Sequence, residues 1–217
     1  MDWAGRYRGG DTPWDLGRPH PELVRRLAAG ELGPPGRALV PGCGRGHDAL
    51  ALAGAGWEVT ALDLVALEGP SLSFFAARGG RFLVRDALGF ASDTPFDLVL
   101  DHTFFCAVEP SERPAWGRMV TRTLAPAGRL FALIFPVGRA PEEGGPPFGM
   151  HAGDLLAALG EGFTLECDEP TREPIAERRW GERWAVLRRD GRTGGEASRA
   201  RAATPIARRP RRPPRPA

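Results

Sequence analysis

The sequence contains no lysine, so all 29 of its basic residues are arginine. With 29 glycines and 22 prolines beside them, this composition reads as a GC-rich coding bias before it reads as function. Cysteine is scarce. Cys43, Cys106 and Cys167 show no C-x-x-C spacing, which argues against both a disulfide framework and a zinc site. No apolar run reaches the roughly 18 residues of a membrane span, and the N-terminus carries no signal-peptide pattern. A soluble chain in a reducing, cytoplasmic setting, without membrane contact, is expected. Charge is unevenly spread. From Asp190 onward eight arginines face two acids, giving this tail +6 and leaving −4 for the rest of a chain whose total is +2. An acidic body suits a small-molecule enzyme and does not favour nucleic acid as a partner. At 217 residues and 42% hydrophobic content, the chain fits one α/β domain with a sizeable core.

What is present is concentrated in residues 37–63, RALVPGCGRGHDALALAGAGWEVTALD. Ala38-Leu39-Val40 is too short for a helix and is bounded by Pro41 and glycine, the pattern of a buried parallel strand. The turn Gly42-Cys43-Gly44-Arg45-Gly46 follows, then a helix over 47–53 and a second strand over 57–62 that ends on Asp63. Glycines at such a turn, Gly42 and Gly44 among them, let the backbone approach a ligand, and an acid at the tip of the second strand can accept from a ribose. A nucleoside ligand is implied. The third glycine comes one residue too early for a dinucleotide fingerprint. Asp48, in the first helical turn, would oppose a pyrophosphate but tolerates a sulfonium cofactor with an amino-acid group. The turn therefore points to S-adenosylmethionine over NAD.

Residues 1–20 are too polar and glycine-rich for a core element, yet they hold Trp3, Tyr7 and Trp14. Trp3 and Tyr7 are four apart and share a face if helical. A surface arm pinned by aromatics is one reading; a lid that covers a cofactor and excludes water is the other. A helix is expected over 21–29. Gly69-Pro70 should interrupt the next helix, leaving an irregular start and a short helix over 72–78. Strands are expected over 81–84, leading into Asp86-Ala87, and over 96–100, ending at Asp101-His102. An amphipathic helix over 110–124 is followed by a turn at Ala127-Gly128 and a strand over 129–135. A loop at 144–148, a helix over 153–159 and strands over 164–169 and 183–187 complete the domain. This alternation predicts a doubly wound α/β sheet with its ligand at the carboxyl ends of the strands. One domain over 1–189 is expected, with a disordered Arg/Pro-rich tail over 190–217.

Four segments carry a resemblance: TPWDLGRPHP (12–21), RALVPGCGRGHDALALA (37–53), FDLVLDHTFFCAVEPSERPAW (96–116) and GGPPF (144–148). Together they resemble the thiopurine methyltransferase-like superfamily, and within it the thiol, thiocyanate and halide methyltransferases. The resemblance implies a class I methyltransferase (Rossmann-like) fold, with a seven-stranded, mostly parallel sheet and its last strand antiparallel. It also implies an N-terminal aromatic arm in which Trp3, Tyr7 and Trp14 pack on the cofactor, with Tyr7 where plant relatives carry tryptophan. By the same resemblance Gly42 lies against the methionine moiety, Asp63 takes the ribose, Asp86-Ala87 lie beside the adenine, and His102 stands where plant relatives have tyrosine.

Methyl transfer from a sulfonium asks the protein for alignment, desolvation and a closed site. No triad or metal cluster is therefore expected. Trp14, Phe104 and Phe105 should wall a dry pocket for a small thiol or anion. His102 could assist a thiol's deprotonation, but packing beside the cofactor is the preferred reading, with no catalytic residue assigned. Arg113 and Trp116 should belong to the helix after the fourth strand, although an arginine near the mouth could attract an anion. The alternatives are an NAD(P)-dependent oxidoreductase, a methyltransferase of larger thiols such as thiopurines, and an RNA-associated protein using the arginine tail. A monomer is expected.

Overall fold

The computed structural model describes residues 1–66 and 71–191. The irregular stretch expected at Gly69-Pro70, and residues 192–217 of the tail expected over 190–217, lie outside the described residues.

Seven strands form one sheet in the order β3-β2-β1-β4-β5-β7-β6. The chain runs α1 (Trp3–Arg8), α2 (Pro21–Ala28), β1 (Arg37–Pro41), α3 (His47–Gly54), β2 (Glu58–Asp63), α4 (Ser71–Ala76), β3 (Arg81–Val84) and β4 (Phe96–His102). It continues through α5 (Arg113–Thr123), β5 (Leu124–Val137), α6 (Ala152–Leu159), β6 (Phe163–Pro170) and β7 (Gly181–Arg189). The pairs β3–β2, β2–β1, β1–β4 and β4–β5 are parallel, while β7 is antiparallel to both β5 and β6. This is the expected mostly parallel, doubly wound sheet with a reversed last strand.

The central strands are covered on both faces, which is why their sequences read as apolar runs rather than alternations. On one face Leu39, Val99, Leu130, Ala132 and Ile134 pack against Trp116 and Met119 of α5 and Leu155 of α6. On the other, Ala38, Val40, Leu98, Leu100, Phe131 and Leu133 meet Leu23 of α2, Leu52 of α3 and Phe75. Each fully buried Leu or Phe contributes about 2 kcal/mol relative to leaving it exposed. α2 begins where Pro21 sets the first helical φ and the His20 side chain caps it, accepting from the Glu22 N–H.

Two elements differ from the sequence expectation. The helix expected from 110 opens as a 3₁₀ turn over Pro110–Glu112 before α5 begins at Arg113. Pro114 has no N–H to give and takes its place in the first turn of α5. The turn at Ala127-Gly128 sits within β5, where the pairing jumps from Phe96↔Leu124 to Leu98↔Arg129 and Ala127 has φ +62°. Among the described residues, no helix is long and apolar enough to cross a membrane.

Strand order reverses between β1 and β4, and the loops after β1, β2 and β4 open side by side at their carboxyl ends. Such a switch point is where doubly wound sheets hold ligands.

Candidate active site

The turn after β1 is built on backbone that only glycine adopts without strain. Gly42, Gly44 and Gly46 have φ of +60°, +57° and +79°. A Cβ on Gly42 would lie 2.3 Å from Phe104 Cδ2, so this turn and the segment after β4 are in closest contact there. The Gly44 N–H donates to Asp63 Oδ2 at 2.8 Å and the Val65 N–H to Oδ1 at 3.1 Å. Asp63 thereby fixes the turn while its carboxylate faces an open cavity. Burial raises its pKa, against the Val65, Gly44 and Leu64 N–H groups that lower it.

That cavity has a volume of about 690 Å³. At its β1–β2–β3 end lie Gly42, Asp63, Leu64, Asp86 and Ala87. Asp86 also accepts from the Leu88 N–H at 2.9 Å, which turns the chain after β3. At the β5–β7 end the walls are Phe104, Cys106, Phe135, Arg139, Arg178 and Trp180. Arg178 lies over the Phe135 ring at 4.3 Å and Arg139 over Trp180 at 4.7 Å.

Residues 1–20 lie across the same cavity. Trp3 and Tyr7, one helical turn apart, both meet Trp14 edge-on, with centroids at 5.4 and 5.7 Å. Trp14 Nε1 donates to the Tyr7 hydroxyl at 3.2 Å. All three line the cavity and remain half-exposed, and α1 has no buried residue. The arm is tied to the glycine turn through Asp15, whose carboxylate meets Arg45 Nε at 2.6 Å and His47 Nε2 at 3.2 Å.

Three candidate residues sit differently from the sequence expectation. Phe105, expected in the pocket wall with Phe104, is fully buried behind it, 4.6 Å edge-on from Trp116. Consecutive residues at the start of a 3₁₀ turn point in different directions, so Phe104 faces the cavity and Phe105 the core. His102 does not line the large cavity. Its Nδ1 lies 2.6 Å from Asp48 Oδ2 and its Nε2 3.0 Å from Arg178 Nη2. An arginine only donates, so Nε2 is the acceptor and the proton sits on Nδ1. Both nitrogens are occupied. Asp48, read as an electrostatic filter on the ligand, is spent inside the protein, accepting from His102 and, at 2.8 Å, from the His20 N–H. Burial raises its pKa, but His102 and the His20 N–H more than offset this and hold it low.

Arg113 lies over Phe105 at 4.6 Å and donates to the Gly149 carbonyl at 3.1 Å, so it serves the loop 144–149 rather than the mouth. Burial, then the charge of Asp101, pushes the Cys106 thiol up to about 12. All three cysteines are free thiols. Arg178, Arg139, Phe135 and Trp180 carry no sequence signal. They come from two short stretches, 135–139 and 178–180, about 40 residues apart in the chain.

Known proteins show the same combination of elements. The sequence profile of the family described as thiopurine S-methyltransferase matches residues 1–78 and 82–190. A probable thiol methyltransferase 2 of Arabidopsis thaliana is 40% identical over 162 residues, covering 72% of this chain and 70% of the relative. Thiocyanate methyltransferase 1 of Brassica oleracea is 35% identical over 196 residues, covering 85% and 84%. Among solved structures, the 1,6-didemethyltoxoflavin-N1-methyltransferase of Burkholderia thailandensis, determined with S-adenosylhomocysteine, superposes with a TM-score of 0.69. It is 23% identical and covers 87% of this chain and 86% of that one, a likeness of fold. With the profile spanning nearly all of residues 1–190, the chain belongs to the thiopurine S-methyltransferase family and is an S-adenosylmethionine-dependent methyltransferase.

Proposed function

We propose that the cavity holds S-adenosylmethionine at its β1–β2–β3 end and a small, soft nucleophile at its β5–β7 end: a thiolate, bisulfide, thiocyanate or halide. The observation that carries this reading is the cavity's continuity. One space joins the glycine turn and Asp63 to a wall of aromatic rings and arginines. The relatives named for thiol and thiocyanate as acceptors support the choice of nucleophile.

The residues present fit this cofactor. Gly42 brings bare backbone to the cavity wall, and Asp63 retains lone pairs for ribose hydroxyls beyond those used by Gly44 and Val65. Asp86 and Ala87 offer a wall for the adenine. S-adenosylmethionine supplies a methyl group on a cationic sulfur, already activated for displacement. Trp3, Tyr7 and Trp14 exclude water above the site, and Phe104 and Phe135 make its far wall apolar. Arg178 draws in an anion and holds it. No general base is called for. Thiocyanate and halides carry no proton to remove, and a thiol with pKa near ~8.5 is partly thiolate at neutral pH. His102, with both nitrogens engaged, is not proposed as that base, and Cys106 is held as a neutral thiol.

The test is headspace mass spectrometry of the purified protein with S-adenosylmethionine and sulfide, thiocyanate, iodide or a small aromatic thiol. A volatile methylated product from one of these is expected, and the ranking names the acceptor. If no product forms while S-adenosylhomocysteine still binds, the small-anion reading is wrong and larger thiols come next.

A further inference from the structure

Five buried or nearly buried side chains beneath the cavity close into a ring. His102 Nδ1–H donates to Asp48, and Arg178 donates to His102 Nε2. Arg178 Nη1 also donates to Glu182 Oε1. His20 Nε2 lies 3.3 Å from Glu182 Oε2, and the His20 backbone N–H returns to Asp48. His20 Nδ1 accepts from the Glu22 N–H at 3.1 Å, so its proton is on Nε2, directed at Glu182. Every junction pairs one donor with one acceptor. The members come from the segment before α2, the first turn of α3, the end of β4, the loop before β7, and β7 itself. Their side chains are between 0% and 13% exposed. At such burial hydrogen bonds are strong and an unpaired group is costly.

The ring spans two parts of the site that share no backbone. Asp48 lies in the first turn after the glycine loop. Arg178 belongs to residues 171–180, which bring Arg178 and Trp180 to the β5–β7 end. The same loop is held by the Ile175 N–H on Glu182 at 2.9 Å and by the Arg172 and Glu173 N–H groups on Glu22 at 2.8 and 3.0 Å. His102 is the link between the two parts. We propose that His102 is a positioning residue, which as the neutral Nδ1–H tautomer fixes Arg178 and the loop 171–180 against the glycine turn and so sets the acceptor's place.

This rests on the small-anion reading above for its kinetic consequence, but not for its structural one.

The experiment compares His102→Phe, which removes both contacts, with His102→Gln, whose amide can donate to Asp48 and accept from Arg178. With thiocyanate as acceptor, His102→Phe should raise its KM about 10- to 100-fold, the loss of a hydrogen bond to a charged group. The affinity for S-adenosylhomocysteine, measured by calorimetry, should shift less than about threefold on the same argument. His102→Gln should restore KM to near the wild-type value. Independently of any acceptor, hydrogen exchange at the Arg172, Glu173 and Ile175 amides should accelerate in His102→Phe and not in His102→Gln. Unchanged exchange, or a glutamine variant no better than phenylalanine, would overturn the proposal. So would a cofactor affinity that falls in step with the acceptor's. If the wild type methylates no anion, the small-anion reading falls alone, and the exchange experiment still decides for or against His102.

Discussion

At the β1–β2 end of the cavity, the positive-φ glycines and Asp63 lie in one continuous stretch of chain and are fixed mainly by backbone: Gly44 and Val65 N–H groups on a single carboxylate. At the β5–β7 end, Arg178 is placed by nearby Glu182 and by three distant segments, through His102, Asp48 and His20. A backbone-built end needs particular residues at fixed spacing and tolerates little change. A side-chain-built end can be retuned by single substitutions. The arm is a third case. Its aromatics touch each other and the cavity, but α1 buries none of its residues, so its hold is weaker than either.

This contrast orders the expected effects. Gly42→Val should be the most damaging. It forces a β-branched residue to φ +60° and puts a Cβ against Phe104. S-adenosylhomocysteine affinity should fall roughly 100-fold or more, about 3 kcal/mol, and calorimetry would read it. Binding within threefold of wild type would show that this end is not backbone-limited. Trp14→Ala should be milder, raising the KM for S-adenosylmethionine about 3- to 10-fold through loss of aromatic contacts. Unchanged steady-state kinetics would remove the arm from the site.

The last effect, smallest on ligand binding, lies away from both ends and in stability alone. Burial, opposed by the Phe105 N–H and Trp116 Nε1, raises the Asp101 carboxyl to about 6, above its ordinary value near ~3.9. Between those values the folded chain holds a proton there that the unfolded chain has released. Asp101 therefore contributes a stability that falls as pH rises through that window, by about 3 kcal/mol in all. Glu22 opposes it. Burial raises its pKa, but Arg25, Arg26 and the Glu173 and Arg172 N–H groups hold it near 2, so its contribution is lost as pH falls. Urea denaturation at pH 4.5 and 6.5 should show Asp101→Asn losing stability less steeply than wild type over that interval. Parallel slopes would place the titration elsewhere.

The same contrast explains what could be read from the sequence. β1, α3 and β2 and the turn between them were legible because each depends on near neighbours: an apolar run, glycines, a terminal acid. β3 and the end of β4 at His102 were equally plain. The acceptor end was not. Nothing in Arg178 as a letter says that it meets His102, because the contact is made 76 residues away in sequence. Phe104 and Phe105 are indistinguishable as neighbouring letters, and only the 3₁₀ turn separates cavity from core. Asp48 was read as a charge facing a ligand, whereas His20 and His102 consume it.

The most direct test is a crystal structure with S-adenosylhomocysteine and thiocyanate. The account expects the ribose on Asp63, the adenine beside Ala87, Trp14 over the ligand, and the anion within hydrogen-bonding distance of Arg178. Nucleoside density away from the glycine turn, or an anion bound well away from Arg178, would contradict it.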